Sequence, residues 1–196
     1  AGDHIAYVMT ASSAGIGSHI KTRSVGDKIR GGIIKHQGKL PYYRALVGAI
    51  NANLQSGRGG AATQHYTAFD PEVEVIQKLK NPMTPASKQV RGLDYSFGSN
   101  KFFARLVAKD EDVCLFSYAD APELYEAQYD KDDSKFEKLY YEFVNSDKPR
   151  TVLKARAVVL GALQEAFDTG RHYLHFTDTM NKHTPFKEKI YSSNLC

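Results

Sequence analysis

The sequence predicts an α/β fold in which parallel strands are joined by crossover helices. Three observations carry that prediction. Strand-like and helix-like segments alternate along the chain, the pattern that repeated strand–helix–strand units produce. The longest periodic helix, 151–169, runs into Gly170 and then directly into a strand-like segment, 171–176. With 196 residues, 42% of them hydrophobic and 24% charged, the chain has the size and composition of one domain with a full core.

Taken in order, residues 5–9 (Ile-Ala-Tyr-Val-Met) read as the end of a helix or strand. They lead into Ser12-Ser13-Ala14-Gly15-Ile16-Gly17, a small-residue turn that a backbone or ligand can approach closely. Residues 18–32 are polar, glycine-bounded and carry Arg23 and Arg30, so they read as a loop. A helix follows at about 41–53, where Pro41 suits the first turn and Leu46, Val47 and Ile50 recur at helical spacing. The glycines of 57–60 break it into a second loop. Next come a short strand at 63–67, a helix at 71–80 striped by Val73, Ile76 and Leu79, and an irregular connection at 81–85. Residues 90–97 read as a strand, 100–108 as a helix and 113–117 as a short buried strand. Two surface helices, 120–129 and 134–145, precede the long one, for which Thr151 is the expected N-cap and Val152, Val159, Leu160, Leu163 and Phe167 the expected apolar stripe. No internal repeat or linker divides the chain.

Bulk properties narrow the function classes. The net charge of +4 and pI of about 8.9 are mildly basic, yet acidic and basic residues alternate and no run of five or six cations occurs, which argues against a nucleic-acid partner. The longest apolar stretch, 157–163, is far too short to cross a bilayer. Two cysteines, Cys114 and Cys196, do not make a disulfide framework and suit a reducing cytoplasm.

The common nucleotide motifs fail on spacing. Gly32 and Gly38 are one residue too far apart for a P-loop, Lys39 is followed by Leu40 instead of a hydroxyl, and Gly15-Ile16-Gly17 lacks a third glycine. The seven histidines offer no metal site: His172 and His175, three apart in a strand, point to opposite faces, and the others are scattered, so they read as ordinary core or surface residues. Cys114, in an apolar strand, reads as a small hydrophobe. Gly57-Arg58-Gly59-Gly60 offers a cation on a pliable backbone; taken alone it is an anion cradle or a tight turn with a solvated arginine. Arg23 and Arg30 bracket the earlier loop and suit either phosphate oxygens or surface ion pairs.

Eight blocks in order resolve these alternatives. They are Ala14-Gly15-Ile16-Gly17, Gly26-Asp27-Lys28-Ile29-Arg30-Gly31-Gly32, the run from Gly57 to Thr63, Leu93-Asp94-Tyr95, Leu115-Phe116-Ser117, Thr169-Gly170-Arg171, His183-Thr184-Pro185-Phe186 and Ser193-Asn194-Leu195-Cys196. Together they resemble the large, catalytic subunit of class I ribonucleotide reductase, over essentially the whole chain. The resemblance implies the first half of that family's ten-stranded α/β barrel, with effector-specificity loops at about 18–33 and 54–62 and the start of the finger loop at about 191–196. It also implies an internal slice: the first redox cysteine belongs before Ala1, its partner and a glutamate base after Cys196. A half barrel would leave strand edges and apolar surface uncovered.

The resemblance also implies the chemistry, reduction of ribonucleoside diphosphates to deoxyribonucleotides. Cys196 would be the thiyl radical that removes the 3′ hydrogen of the ribose, and Asn194 would orient the sugar hydroxyls. Ala14 and Gly15 would form part of the substrate pocket wall, with Arg58 reaching toward the substrate. Arg23, Ile29 and Arg30 would receive a deoxynucleoside triphosphate or ATP effector, and the loop of Gln55, Gly57, Arg58, Gly59 and Gly60 would relay its identity to the active site. The helix at 41–53 would build a homodimer. No cofactor or metal is implied on this segment itself; the radical would come from the metal cofactor of a small subunit, and electrons from thioredoxin or glutaredoxin. Against this stand a non-catalytic nucleotide-sensing or dimerisation module that keeps the effector loops, and an extein segment beside an intein in which Cys196 serves splicing.

Overall fold

The computed structural model describes residues 2–52, 57 and 59–194. Its centre is a four-stranded, all-parallel sheet, built from β1 (Gly15–Ser18), β4 (Ala61–Thr67), β5 (Asp94–Ser99) and β8 (His172–Phe176), adjacent in that order. Between β1 and β4 the chain forms a hairpin, β2 (Val25–Ile29) with β3 (Ile34–Gln37), and helix α2 (Leu40–Asn51). A short helix, α3 (Val73–Gln77), joins β4 to β5. The connection from β5 to β8 is long: α4 (Lys101–Lys109), β6 (Asp112–Leu115), α5 (Pro122–Ala127), α6 (Asp133–Val144), β7 (Thr151–Lys154) and α7 (Ala155–Thr169). Helix α1 (Gly2–Thr10) precedes β1, and α8 (Thr177–His183) follows β8. The predicted parallel sheet with crossover helices is what the chain forms.

Register divides the sheet into two chemically distinct faces, because residues paired across a parallel ladder point the same way. One face carries Tyr66, Tyr95, Phe97 and His172 and packs on helices: Tyr43 of α2 lies 6.2 Å from Tyr95 between ring centres, and Phe103 of α4 lies 5.9 Å from Phe97. The other face carries small and polar residues, Gly17, Thr63, His65, Ser96, Gly98 and His175. Strands β4 and β5 are buried nearly throughout, as central parallel strands are. Between α4, α6 and the segment after β4, Phe69, Phe102, Phe103, Phe136 and Tyr140 form an aromatic cluster with centroid separations of 4.7 to 6.5 Å.

Local signals hold where the partner is close in sequence. Asn100 caps α4, accepting the N–H of Phe103 at 2.9 Å, and Gly170 ends α7 at a φ of 62°. Helix α2 runs two residues short of the predicted end, with Pro41 in its first turn.

Four expectations are corrected. Thr151 caps no helix: residues 151–154 pair with β6, Leu115 opposite Thr151 and Val113 opposite Leu153, and α7 begins at Ala155. The helix does not bury its largest residues; Ala155, Val158, Ala162 and Glu165 face inward while Leu160, Leu163 and Phe167 are 56%, 45% and 86% exposed. Close packing on α3 and α4 selects the small side chains. Residues 18–32 are not simply a loop, since β2 and β3 pair with Val25 opposite Gln37 and Ile29 opposite Ile34. The hairpin is closed by Arg30, Gly31 and Gly32, all at positive φ (49°, 67° and 93°). The fifth strand starts at Asp94 and not at 90, because Val90 donates its N–H to Leu79 and its carbonyl accepts the Tyr95 hydroxyl, which ties it outside the sheet.

Helix α3 covers only part of 71–80, and Cys114 is half-buried, its N–H bonded to the Tyr140 hydroxyl at 2.7 Å.

Candidate active site

Three segments far apart in sequence meet at the polar face of β1. The first is the turn before that strand. Ala14 accepts the backbone N–H of Ala61 at 3.3 Å, so the turn adjoins the end of the 57–60 glycine loop. Gly60 permits this approach, because a Cβ there would overlap the Thr10 side chain and sit 3.1 Å from the Ala14 carbonyl. The third segment is 193–194. A Cβ on Gly17 would overlap the Ser193 carbonyl, so the strand and this segment touch backbone to backbone. Asn194 lines a cleft of about 680 Å³ together with Gly15, Gly17, Ile20 and the α1 residues Ile5 and Met9.

The approach to that segment is tethered residue by residue. Lys189 pairs with Asp130 at 2.8 Å. Asn181 holds Ile190 by both backbone groups, donating to its carbonyl at 2.9 Å and accepting its N–H at 2.7 Å. The Tyr191 hydroxyl donates to Glu126 at 2.9 Å; Glu126 also pairs with Lys21 at 2.5 Å, and the Lys21 ammonium lies 4.3 Å from the Tyr191 ring centre. Ser193 then meets His65, whose Nε2 is 2.8 Å from its carbonyl and 3.1 Å from its amide.

His65 and His175 were not legible as a pair in the sequence. Strand parity brings them together: His65 sits opposite Ser96, His175 opposite Gly98, and their rings meet edge to face at 4.9 Å. The Nδ1 of His175 contacts the Ser96 hydroxyl at 2.9 Å. Burial holds His65 below the usual histidine range, against the raising effect of the Ser193 bond. It pushes His175 down to about 3, with His65 adding repulsion. The expected opposition of His172 and His175 holds, for His172 lies on the other face against the Tyr66 hydroxyl at 2.5 Å and is pushed down to about 4 by burial.

The hairpin is anchored to the sheet by buried charge. Lys39, 2% exposed, pairs with Asp70 at 3.0 Å and Glu72 at 3.3 Å just past the end of β4. Burial opposes its charge, but the two carboxylates outweigh that and hold its pKa above the ordinary lysine value. Asp27 in β2 accepts from the Ser24 N–H at 2.8 Å and from the Ser117 hydroxyl. Arg23 and Arg30 are exposed, one before β2 and one after it, and Ile29 is half-buried between them. The two arginines stand at opposite ends of the strand, not side by side.

Asn194, Ala14, Gly15, Gly59 and Gly60 thus fall in one neighbourhood, and Gly57 is exposed. Gln55, Arg58 and Cys196 lie outside the described residues. Among the described residues, no group of three or more His, Cys, Asp or Glu side chains could hold a metal ion. No helix among them is long and apolar enough to cross a membrane.

Residues 3–196 match the family model described as ribonucleotide reductase, barrel domain. The chain is 37% identical over 198 residues to the ribonucleoside-diphosphate reductase 1 subunit alpha of Escherichia coli, covering 98% of this chain and 26% of that protein. The corresponding subunit of Haemophilus influenzae is 37% identical over the same shares, and that of phage T4 is 33% identical over all of this chain and 28% of its own length. The chain spans about a quarter of the length of these curated relatives.

Proposed function

The chain belongs to the ribonucleotide reductase barrel-domain family, and from that premise we propose that it is the part of a ribonucleoside-diphosphate reductase α subunit that holds the substrate wall at Ala14 and Gly15, the effector hairpin and the radical cysteine. The whole protein reduces ribonucleoside diphosphates to deoxyribonucleotides in the cytoplasm. Cys196, as a thiyl radical, removes the 3′ hydrogen of the ribose. Asn194 orients the sugar hydroxyls, the small residues Ala14 and Gly15 form part of the wall on which the substrate rests, and Arg58 belongs to its binding set. The four-stranded sheet is the first part of a ten-stranded barrel, a reading supported by the open edge of β8, where Leu174 and Phe176 are exposed.

The hairpin residues Arg23, Ile29 and Arg30 receive the deoxynucleoside triphosphate or ATP effector. The loop carrying Gln55, Gly57, Arg58, Gly59 and Gly60 passes its identity on, and its far end rests against the substrate wall through Ala61 and Ala14. Helix α2 packs with α1 and builds a homodimer; exposed Val8 on α1, outside the cleft, supports this. A small subunit supplies the radical from its metal cofactor, and thioredoxin or glutaredoxin supplies the electrons.

One observation carries the proposal: the segment that leads into Cys196 is seated on Gly17, beside the turn where the 57–60 loop ends. The test is turnover by the complete polypeptide with its small subunit. Cys196→Ser should abolish product while leaving effector binding unchanged, and Arg30→Ala should weaken effector binding with basal turnover retained. Full turnover in Cys196→Ser overturns the reading. Effector binding and dimerisation without turnover in the unaltered protein would mark a sensing module instead.

A further inference from the structure

The backbone of Ser193 is gripped from two sides. On one side is Gly17, which has no side chain where a Cβ would overlap the Ser193 carbonyl. On the other is His65 Nε2, 2.8 Å from that carbonyl and 3.1 Å from the Ser193 amide nitrogen. A single imidazole nitrogen either donates to the Ser193 carbonyl or accepts from the Ser193 amide, according to its tautomer. His65 therefore holds the backbone of the same residue in either state, through one or the other of the two peptide groups that flank it.

The ring that grips is itself held. His65 is 2% exposed, on a central strand. The edge of His175 packs on it with ring centres 4.9 Å apart and planes at 83°. His175 in turn is fixed by the Ser96 hydroxyl at 2.9 Å and lies so close over β5 that a Cβ on Gly98 would come within 2.9 Å of its ring. Three adjacent strands, β4, β5 and β8, thus combine to fix one nitrogen against the backbone of one residue. The tethers upstream, at Lys189, Ile190 and Tyr191, end two residues before Ser193. Among the described residues, His65 is the last side chain to hold the segment by hydrogen bonds before Cys196.

We propose that His65 is a positioning residue for the radical chemistry: with Gly17 it clamps the backbone of Ser193 and so fixes the point from which Asn194 reaches toward the substrate, with His175 as its brace. The inference rests on the reductase reading above. His65 acts through the backbone of Ser193 and not on the substrate, so its removal slows the chemical step without weakening either nucleotide site. An amide side chain carries both a donor and an acceptor and can meet the same backbone groups of Ser193, whereas a phenyl ring fills the space and meets neither.

The experiment compares His65→Phe and His65→Gln in the complete α subunit with its small subunit. It reads kcat, KM, the effector dissociation constant, thermal stability and hydrogen exchange at the Ser193 amide. His65→Phe should lower kcat about tenfold, leave KM and effector binding unchanged, and speed exchange at Ser193, while His65→Gln should restore most of both kcat and protection. Unchanged kcat and unchanged Ser193 protection in His65→Phe would overturn the proposal. So would parallel losses of kcat, KM and thermal stability that His65→Gln fails to rescue, since those mark a purely structural side chain. Absence of turnover in the unaltered subunit would sink the reductase reading instead, and Ser193 exchange would still decide whether His65 grips that backbone.

Discussion

Ala61 donates its backbone N–H to the carbonyl of Ala14 at 3.3 Å, and this bond at the head of the β1–β4 ladder sets the end of the glycine loop against the turn that leads into the cleft. It exists because Gly60 lets the chain pass over Thr10 without a side chain in the way. The pairing of β1 with β4 brings the two segments together, and Gly60 lets them close to backbone contact at its start.

Gly60→Val should break that junction. The new side chain overlaps Thr10, so either the turn or the end of α1 must shift, at about 1–3 kcal/mol. The expected outcome is a lower thermal midpoint together with weakened coupling between effector identity and substrate choice. Substrate preference measured at saturating effector checks it; unaltered preference and stability would contradict it.

Lys39→Met should be among the most damaging single changes. It leaves Asp70 and Glu72 as buried carboxylates with no cation, a loss of about 3–5 kcal/mol. Chemical denaturation of the variant should show it, and Asp70→Asn with Glu72→Gln in the same background should recover part of the loss. A variant as stable as the parent would show that the ammonium is not what neutralises the pair.

Acid should destabilise the chain through its buried histidines. His172 and His175 are pushed down to about 4 and about 3 by burial, whereas both titrate near 6.5 when unfolded. Below 6.5 the unfolded chain binds protons that the folded chain refuses, so stability is complete above that pH and falls as pH drops toward 4 and 3, by up to about 1.4 kcal/mol per pH unit for each group. His172→Phe should flatten part of that slope between pH 6.5 and 4.5, read from denaturation midpoints. An equally steep slope in the variant would assign the acid sensitivity elsewhere.

Asn181→Leu should free the approach to Ser193. It deletes both bonds to the Ile190 backbone and leaves those groups unpartnered, at about 1–3 kcal/mol. Exchange at the Ile190 amide should quicken, and kcat should fall more than KM rises. Protection of Ile190 unchanged from the parent would show that Lys189 and Tyr191 suffice to hold the segment.

How much could be read from the residues themselves depends on how far away each partner lies. The alternation of strands and helices, the Asn100 cap, the Gly170 stop and the opposed faces of His172 and His175 all rest on neighbours within a few positions, so the sequence alone determines them. The order of the motif blocks identified the family for the same reason, since each block is local. Thr151 shows the limit: the β-branched pair Thr151-Val152 could begin a helix or lengthen a strand, and the choice fell to β6, more than 35 residues earlier in the chain. Leu160 and Phe167 look like core residues until α3 and α4 claim the small-residue side of α7. Likewise Lys39 meets Asp70, and His65 meets Ser193, only because the parallel sheet folds them together; whether a polar side chain is solvated or buried against a partner is settled by contacts that no local pattern encodes.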